Sequence, residues 1–428
     1  MNQKEFRRIL AFVAVRLEQL GIDNLTDVRD AHGKRWQLRV AVAICLLGML
    51  AGCKSLGEVE QLTGKLSRAV RRRFGIARRM PDTTLHDIIC RLDHRELQGV
   101  LERAVWGAYV RKALVGTPLP VVMVAMDGKA TWMPSWGAPY AQKHTPEEGC
   151  PYGLLRTVTA TLASSAGRPC IAVSPIPVRT NEMGHFAAAF NELCDRYGDL
   201  FTLVSYDQGA NSEVNAQVVL GRGKHYLFRL NDKRRRMQQL AMELLVTKEP
   251  LAETVDLESK RVEIVRRLRL VRVNRGILPK GRKSELWVHA RTLLSVTVER
   301  RVGGAVTETE RRYYASSLPT EQLTPDQWLY AARAHWRVET THQILDASFH
   351  EDDRPWIRAN AKGMLALVVL RRIAYTLMTL YRSVTQRSDE KRERPWQQLL
   401  DLVRDALIAS TEATIEAVRH RKAFVAAI

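Results

Sequence analysis

Three carboxylates stand where phosphodiester chemistry could be done. Asp127 follows the apolar run Leu119-Pro-Val-Val-Met-Val-Ala-Met126, Asp207 follows Leu200-Phe-Thr-Leu-Val-Ser-Tyr206, and Glu339 lies in a helical pattern from Trp328 to about Phe349. Cleaving a phosphodiester at neutral pH needs a strong nucleophile beside a negatively charged phosphate. Two magnesium ions about 4 Å apart supply both the polarised water and the charge neutralisation. Mg²⁺ takes hard oxygen ligands, so carboxylates on a rigid frame suffice, and Mn²⁺ can substitute. Two aspartates at the ends of neighbouring strands, with a third acid on a helix crossing them, would make that frame.

The third acid has competitors, because Asp346, Glu351, Asp352 and Asp353 lie in or just after the same pattern. Treated as one continuous helix, the segment places Ala331, Val338, Leu345 and Phe349 in one narrow stripe. Glu339 then falls roughly 90° from its centre, at the rim of the buried face. His335, His342 and Asp346 lie between that stripe and Glu339 or close beside it. The plain alternative stays open: among 46 acidic residues some follow strands by chance, and a rim glutamate is commonly a solvated charge. A zinc site on His335, Glu339 and His342 lacks the His-Glu-x-x-His spacing.

The elements that must position these acids can be read from periodicity. From residue 2 to about 115 the pattern is helical, with Phe6, Ile9, Leu10, Phe12 and Val13 at three- and four-residue spacing. Asp or Thr capping is expected near Pro81-Asp-Thr-Thr-Leu85, just after a basic loop, Arg71 to Arg79. A helix-turn-helix reader of DNA and an ordinary bundle with a solvated arginine loop both fit. Beyond Pro118 come buried strands. The runs 154–163 and 169–178 form a hairpin across Ser164 to Gly167, 181–197 is helical, and 200–206 and 224–230 are strands again. That mixed order predicts an α/β fold with an RNase H-like sheet. Residues 232–318 are expected to be a mainly β insertion, 363–380 an apolar helix, 383–394 a polar linker and 396–417 a last helix. The expected divisions are 1–117 as an all-helical N-terminal domain, 118–382 as the catalytic core and 383–428 as linker and C-terminal helix.

Composition agrees with a polyanionic partner. The chain has 66 Lys and Arg against 46 Asp and Glu, a formal charge of +20, with basic runs at Arg71–Arg73, Arg78–Arg79, Lys233–Arg236 and Arg261–Arg275. An arginine-favouring genome or solvated basic faces would give the same total. The six cysteines form no Cys-x-x-Cys pair, so no zinc ribbon or disulfide scaffold is expected. Val40 to Cys53 is the run singled out as most apolar. Its 14 residues fall short of the roughly 18 of a membrane span, and residues 1–8 have no secretory apolar region. A cytoplasmic, nucleoid-associated protein with no membrane partner is expected.

The stretch His335-Trp-Arg-Val-Glu-Thr-Thr-His-Gln-Ile-Leu-Asp-Ala-Ser-Phe-His-Glu-Asp352, followed by Arg358-Ala-Asn-Ala-Lys-Gly-Met, resembles the H-repeat-associated bacterial insertion-sequence transposases. Asp127-Gly-Lys129 is similar to their first-aspartate motif. Asp27-Val-Arg-Asp-Ala-His-Gly-Lys-Arg, Leu56-Gly-Glu-Val, Pro81-Asp-Thr-Thr-Leu85 and Arg91-Leu-Asp93 resemble their associated helical region. The resemblance implies a DDE-type, RNase H-like core with a β insertion before the last acid, and Asp127, Asp207 and Glu339 as the catalytic and metal-holding acids. It further implies nicking at element ends, joining of the freed 3′-hydroxyl to target DNA, and magnesium. The partners would be double-stranded DNA, both terminal repeats and target, and a second copy of the chain in a homodimeric synaptic complex. Lys129, His335 and Arg337, with Arg71, Arg72 and Arg73, are the expected DNA contacts. Two departures stand out. Where the wider superfamily has Tyr, Arg and Lys around its last acid, this chain has Ala332, His335 and Asp346, and Ala130-Thr-Trp-Met-Pro replaces a Leu-Arg-Gly continuation. A catalytically silent DNA-binding derivative and a nuclease of the same fold are the rival readings.

Overall fold

The computed structural model describes residues 3–30, 34–114, 116–137, 139–206, 211–230, 235–259, 261–274, 287–352 and 355–416. Asp207 and Asp353 fall outside them, as do Lys233, Arg234 and Arg275 of the basic runs and the last residue of the final expected helix.

Six helices come first: α1 (Gln3–Gln19), α2 (Leu38–Leu50), α3 (Leu56–Lys65), α4 (Arg68–Phe74), α5 (Asp82–Ile89) and α6 (His94–Val110). Their starts are written locally. The hydroxyls of Ser55 and Ser67 accept from the backbone N–H groups of Glu58 and Val70, and Asp93 accepts from Arg95. Every residue of α2 except Arg39 is buried, as its unbroken apolar run requires. Two expectations are corrected here. Arg71, Arg72 and Arg73 lie on α4 rather than in a loop, because Ser67 caps the helix and Gly75, at φ 69°, ends it. α5 has no side-chain cap: Pro81 occupies that position and Asp82 is already helical.

The rest is a ten-stranded mixed sheet with helices on both faces. In chain order it comprises β1 (Met123–Met133), β2 (Ala141–His144), β3 (Tyr152–Thr161), β4 (Cys170–Pro175), α7 (Glu182–Tyr197), β5 (Leu203–Tyr206), α8 (Glu213–Gly221) and β6 (His225–Leu230). There follow α9 (Arg236–Val246), β7 (Ala252–Ser259), β8 (Val262–Arg272), β9 (Thr292–Val302), β10 (Ala305–Ser316), α10 (Pro325–Ala334), α11 (Arg337–Ala347), α12 (Ala361–Leu380), α13 (Asp389–Arg392) and α14 (Trp396–Ala409). The spatial order is β2-β3-β1-β5-β6-β10-β9-β8-β7, with β4 also on β3. β1, β5 and β6 are mutually parallel, and the other pairings are antiparallel.

The β insertion is part of this sheet rather than an appendage. Tyr313 to Ser316 of β10 pair with Leu230 to Leu227 of β6, and β9, β8 and β7 extend the sheet outward. It also holds a helix, α9, against β8, β9 and β10, so the mainly β expectation misses one element.

The sheet separates two apolar layers. One face carries Ala125, Leu203, Leu227, Leu268 and Leu294 under Trp328, Leu329 and Val338 of α10 and α11. Through Val124, Met126, Tyr206 and Phe228 the other face joins a continuous core containing α1 to α6, α7, α12 and α14. At its centre α12 packs against α2, α5, α6 and β4. Residues 361–385 are long and apolar enough to cross a membrane, more so than the 40–53 run, yet residues 363–380 are all buried inside the protein. Truncating a fully buried side chain such as Trp328, 0% exposed, costs roughly 3–5 kcal/mol.

Candidate active site

Asp127 does not terminate its strand. β1 continues to Met133, and Asp127 pairs with Thr159 of β3. Among the described residues the parallel ladder with β5 runs as far as Met126 beside Tyr206, and Asp127 follows Met126 directly. Beyond Met126 the strand passes from fully buried to half-exposed, which is why the apolar run breaks there although the strand does not. Tyr206 is the residue before Asp207 in sequence.

Side chains alternate along a strand, so Asp127 shares the face of Ala125, toward α11, and Gly128 faces the opposite way. Helix α11 packs on β1 and β3. His342 brings Nδ1 to 3.4 Å from Asp127 Oδ2. Lys129, its side chain 7% exposed, bonds the carboxylates of Asp346 and, at 3.1 Å, Asp352. Burial raises the pKa of Asp346, with Lys129 opposing. Glu339, His342 and Asp346 follow at three- and four-residue spacing and share one stripe of α11. Two members of that stripe touch β1. Glu339, partly buried, lies one turn before His342 on the same stripe.

The expected helix from Trp328 to Phe349 is broken. α10 ends at Ala334 and α11 begins at Arg337, with three-residue backbone bonds from Trp336 N–H to Arg333 and from Val338 N–H to His335 across the junction. His335, 5% exposed, is held by Ser205 of β5 at 3.0 Å, so a buried polar anchor fixes the break. The wheel argument that placed Glu339 at a rim therefore holds within α11 but not across the whole segment. Arg337 points elsewhere: it donates to the Ala163 carbonyl at 2.6 Å and lies 4.5 Å over the Tyr330 ring. His335 is buried and Arg337 is partly exposed.

The remaining described acids of the segment have structural partners. Glu351, 1% exposed, is ion-paired with fully buried Arg372. Burial pushes its carboxyl up, but Arg372, Lys129 and Arg371 outweigh this and hold it below the usual range. On the opposite face of the sheet lies Glu182, a residue the sequence reading missed. It accepts from the Tyr206 hydroxyl at 2.9 Å, and its carboxyl carbon lies 2.4 Å from where a Cβ at Gly128 would stand. A Cβ at position 128 would displace the carboxylate end of the Glu182 side chain. The sequence signal was present in the Asp-Gly pair and in Asn181, which caps α7.

Among the described residues no group of three or more His, Cys, Asp and Glu is gathered for a metal, and Asp207 is not among them. The chemistry of the donors suits a hard divalent ion: Asp127 is partly exposed and, among the described residues, touched by His342 and by no Lys or Arg. Among the described residues the Nε2 of His342 is buried without a hydrogen-bond partner, a polar atom beside the acid left unsatisfied. Arg71, Arg72 and Arg73 lie apart from this cluster, contacting the Gly64 carbonyl, Glu412 and Glu18 respectively.

Residues 21–104 match the family described as DDE_Tnp_1-associated. That span contains the N-terminal motifs on which the resemblance was drawn. No curated protein matches the sequence. Among solved structures, the fold is similar to that of piggyBac transposase in its cryo-EM synaptic complex with hairpin DNA, at 11% identity and a TM-score of 0.43. The similarity covers 96% of this chain and 81% of that one.

Proposed function

With residues 21–104 belonging to the DDE_Tnp_1-associated family, we propose that the chain is a DDE-type transposase that binds the ends of its own element and cuts and joins DNA. The observation that carries this reading is the clamp between β1 and α11: His342 on Asp127 and Asp346 on Lys129 hold the helix bearing Glu339 across the strand bearing Asp127. The register of Met126 beside Tyr206 supports Asp207 as the second acid. The order β4-β3-β1-β5-β6, antiparallel then parallel, supports an RNase H-like core.

Asp127, Asp207 and Glu339 would hold magnesium, which when bound supplies charge neutralisation and a polarised nucleophile. His342 orients Asp127. Lys129, neutralised by Asp346 and Asp352, sets the spacing of strand and helix rather than contacting DNA from the surface. Ser205 and His335 fix the start of α11. The working form in this reading is a pair of copies holding two duplex ends, in the cytoplasm with the nucleoid.

The test is a magnesium-dependent cleavage and joining assay on a labelled DNA end from the flanking repeats. Wild type is expected to cut and join. Asp127→Ala, Asp207→Ala and Glu339→Ala are each expected to bind DNA while losing both steps by at least about 10³-fold, the scale of removing a charge-stabilising group from a site. Cleavage that survives in these variants refutes the site, cutting without joining indicates a nuclease, and binding without either step indicates a silent derivative.

A further inference from the structure

A formal charge of +20 must reside somewhere, and most of the arginines in the structure have carboxylate or carbonyl partners. A groove in the N-terminal region is different. It has a volume of about 460 Å³ and is lined by Arg29, Arg35, Trp36, Arg78, Arg79 and Arg91. Two of its arginines are engaged. Arg29, 8% exposed, grips Asp27 and donates to the Trp36 carbonyl at 2.7 Å, which pins the tryptophan. Arg79 pairs with Glu60 at 2.8 Å. Arg78 lies 4.7 Å over the Trp36 ring. Among the described residues Arg35, Arg78 and Arg91 have no carboxylate partner. The acid lining the groove is Asp87, well exposed at its rim and beside His86.

Converging guanidiniums repel one another unless an anion lies between them. Their planar forks match phosphate oxygens in pairs. The three unpaired arginines come from three separate segments, before α2, before α5 and after α5, a spread that suits successive phosphates better than one small anion.

We propose that this groove seats the sugar-phosphate backbone of duplex DNA, with Arg35, Arg78 and Arg91 on phosphates and Trp36 as the wall that holds Arg78 in place. The proposal rests on the transposase reading above and adds where the duplex is gripped. It places a basic contact apart from Arg71, Arg72 and Arg73, which bond the Gly64 carbonyl, Glu412 and Glu18.

The experiment uses the full chain and a fluorescent duplex from the flanking repeats, with affinity measured across 50 to 200 mM salt. The variants are Arg35→Gln/Arg78→Gln/Arg91→Gln and a control of equal charge loss, Arg267→Gln/Arg300→Gln/Arg301→Gln, on the outer strands. The groove triple is expected to reduce the slope of log affinity against log salt by about 3, about one per phosphate contact, and the control to leave it unchanged. Should the triple melt early, Arg35→Gln/Arg91→Gln, which keeps the stacked Arg78, is expected to reduce the slope by about 2. An unchanged slope in the groove variants overturns the proposal while leaving the enzyme reading intact if cleavage persists. Equal loss in the control, or a groove-dependent preference for single-stranded RNA, overturns it as well. Wild type that binds no duplex overturns both readings.

Discussion

The outer strands β8 to β10 and the Trp36 groove are comparably rich in arginine, yet they handle it differently. On the strands Arg266, Arg267, Arg300, Arg301 and Arg312 each meet a carboxylate, and Arg269 and Arg311 bond carbonyl or hydroxyl oxygens. Arg267 reaches Glu253 directly across the ladder and Glu299 diagonally at 2.6 Å, Arg300 reaches Glu258, Arg301 reaches Glu299 and Arg312 reaches Glu310. In the groove three arginines have none. The basic run Arg261 to Arg275 is the longer signal in sequence, but two of its arginines, Arg266 and Arg267, are paired with carboxylates on the neighbouring strands. Binding capacity follows from charge left uncompensated after folding, which only the cross-strand register reveals.

The comparison can be tested by removing arginines of increasing independence from the fold. The largest effect is expected at the most committed of them. Arg372→Met leaves Glu351 buried without its cation and should cost about 3–5 kcal/mol in urea denaturation at neutral pH. Because the folded carboxyl of Glu351 is held below its ordinary value, its contribution is complete above that ordinary value, about 4.3. The contribution fades as pH falls through the lower folded value, so the deficit of the variant should shrink in acid. A deficit below 1 kcal/mol, or one indifferent to pH, would mean the pair is not an internal commitment. Next, Arg267→Met on the outer strands should cost at most about 1 kcal/mol, the range of partly exposed pairs, and the cost should fall in high salt. A larger, salt-insensitive loss would show that the ladder is part of the core. Smallest of all, Arg35→Gln/Arg91→Gln should leave the unfolding free energy in urea within about 0.5 kcal/mol of wild type. Instability there would mean that these side chains hold the fold and are not set out for a partner.

Much of the frame was legible because it is written in local signals. The unbroken apolar runs before Asp127 and Asp207, the Asn181 cap of α7 and the span of α12 each specify an element without tertiary help. What was not legible depended on partners distant in sequence. β7, Ala-Glu-Thr-Val-Asp-Leu-Glu-Ser, is an edge strand exposed along most of its length, so no buried face wrote a hydrophobic pattern into it. The break at His335 is fixed by Ser205, 130 residues earlier, and no periodicity inside the segment announces it. The same holds for the site. Asp127 and Glu339 could be nominated from their neighbours, whereas the roles of His342, Lys129 and Glu182 emerge only when α11 and α7 are laid on opposite faces of β1.

Helix α12 has one more consequence. It presses on α2, α5 and α6 with one side and on β4 with another, and from Gly363 to Leu380 every residue is buried. A fragment ending near residue 117 would therefore carry away the flanks of three helices stripped of their cover, a broad greasy scar that water penalises and other molecules adhere to. Cutting the chain there would yield not a smaller working piece but a sticky one.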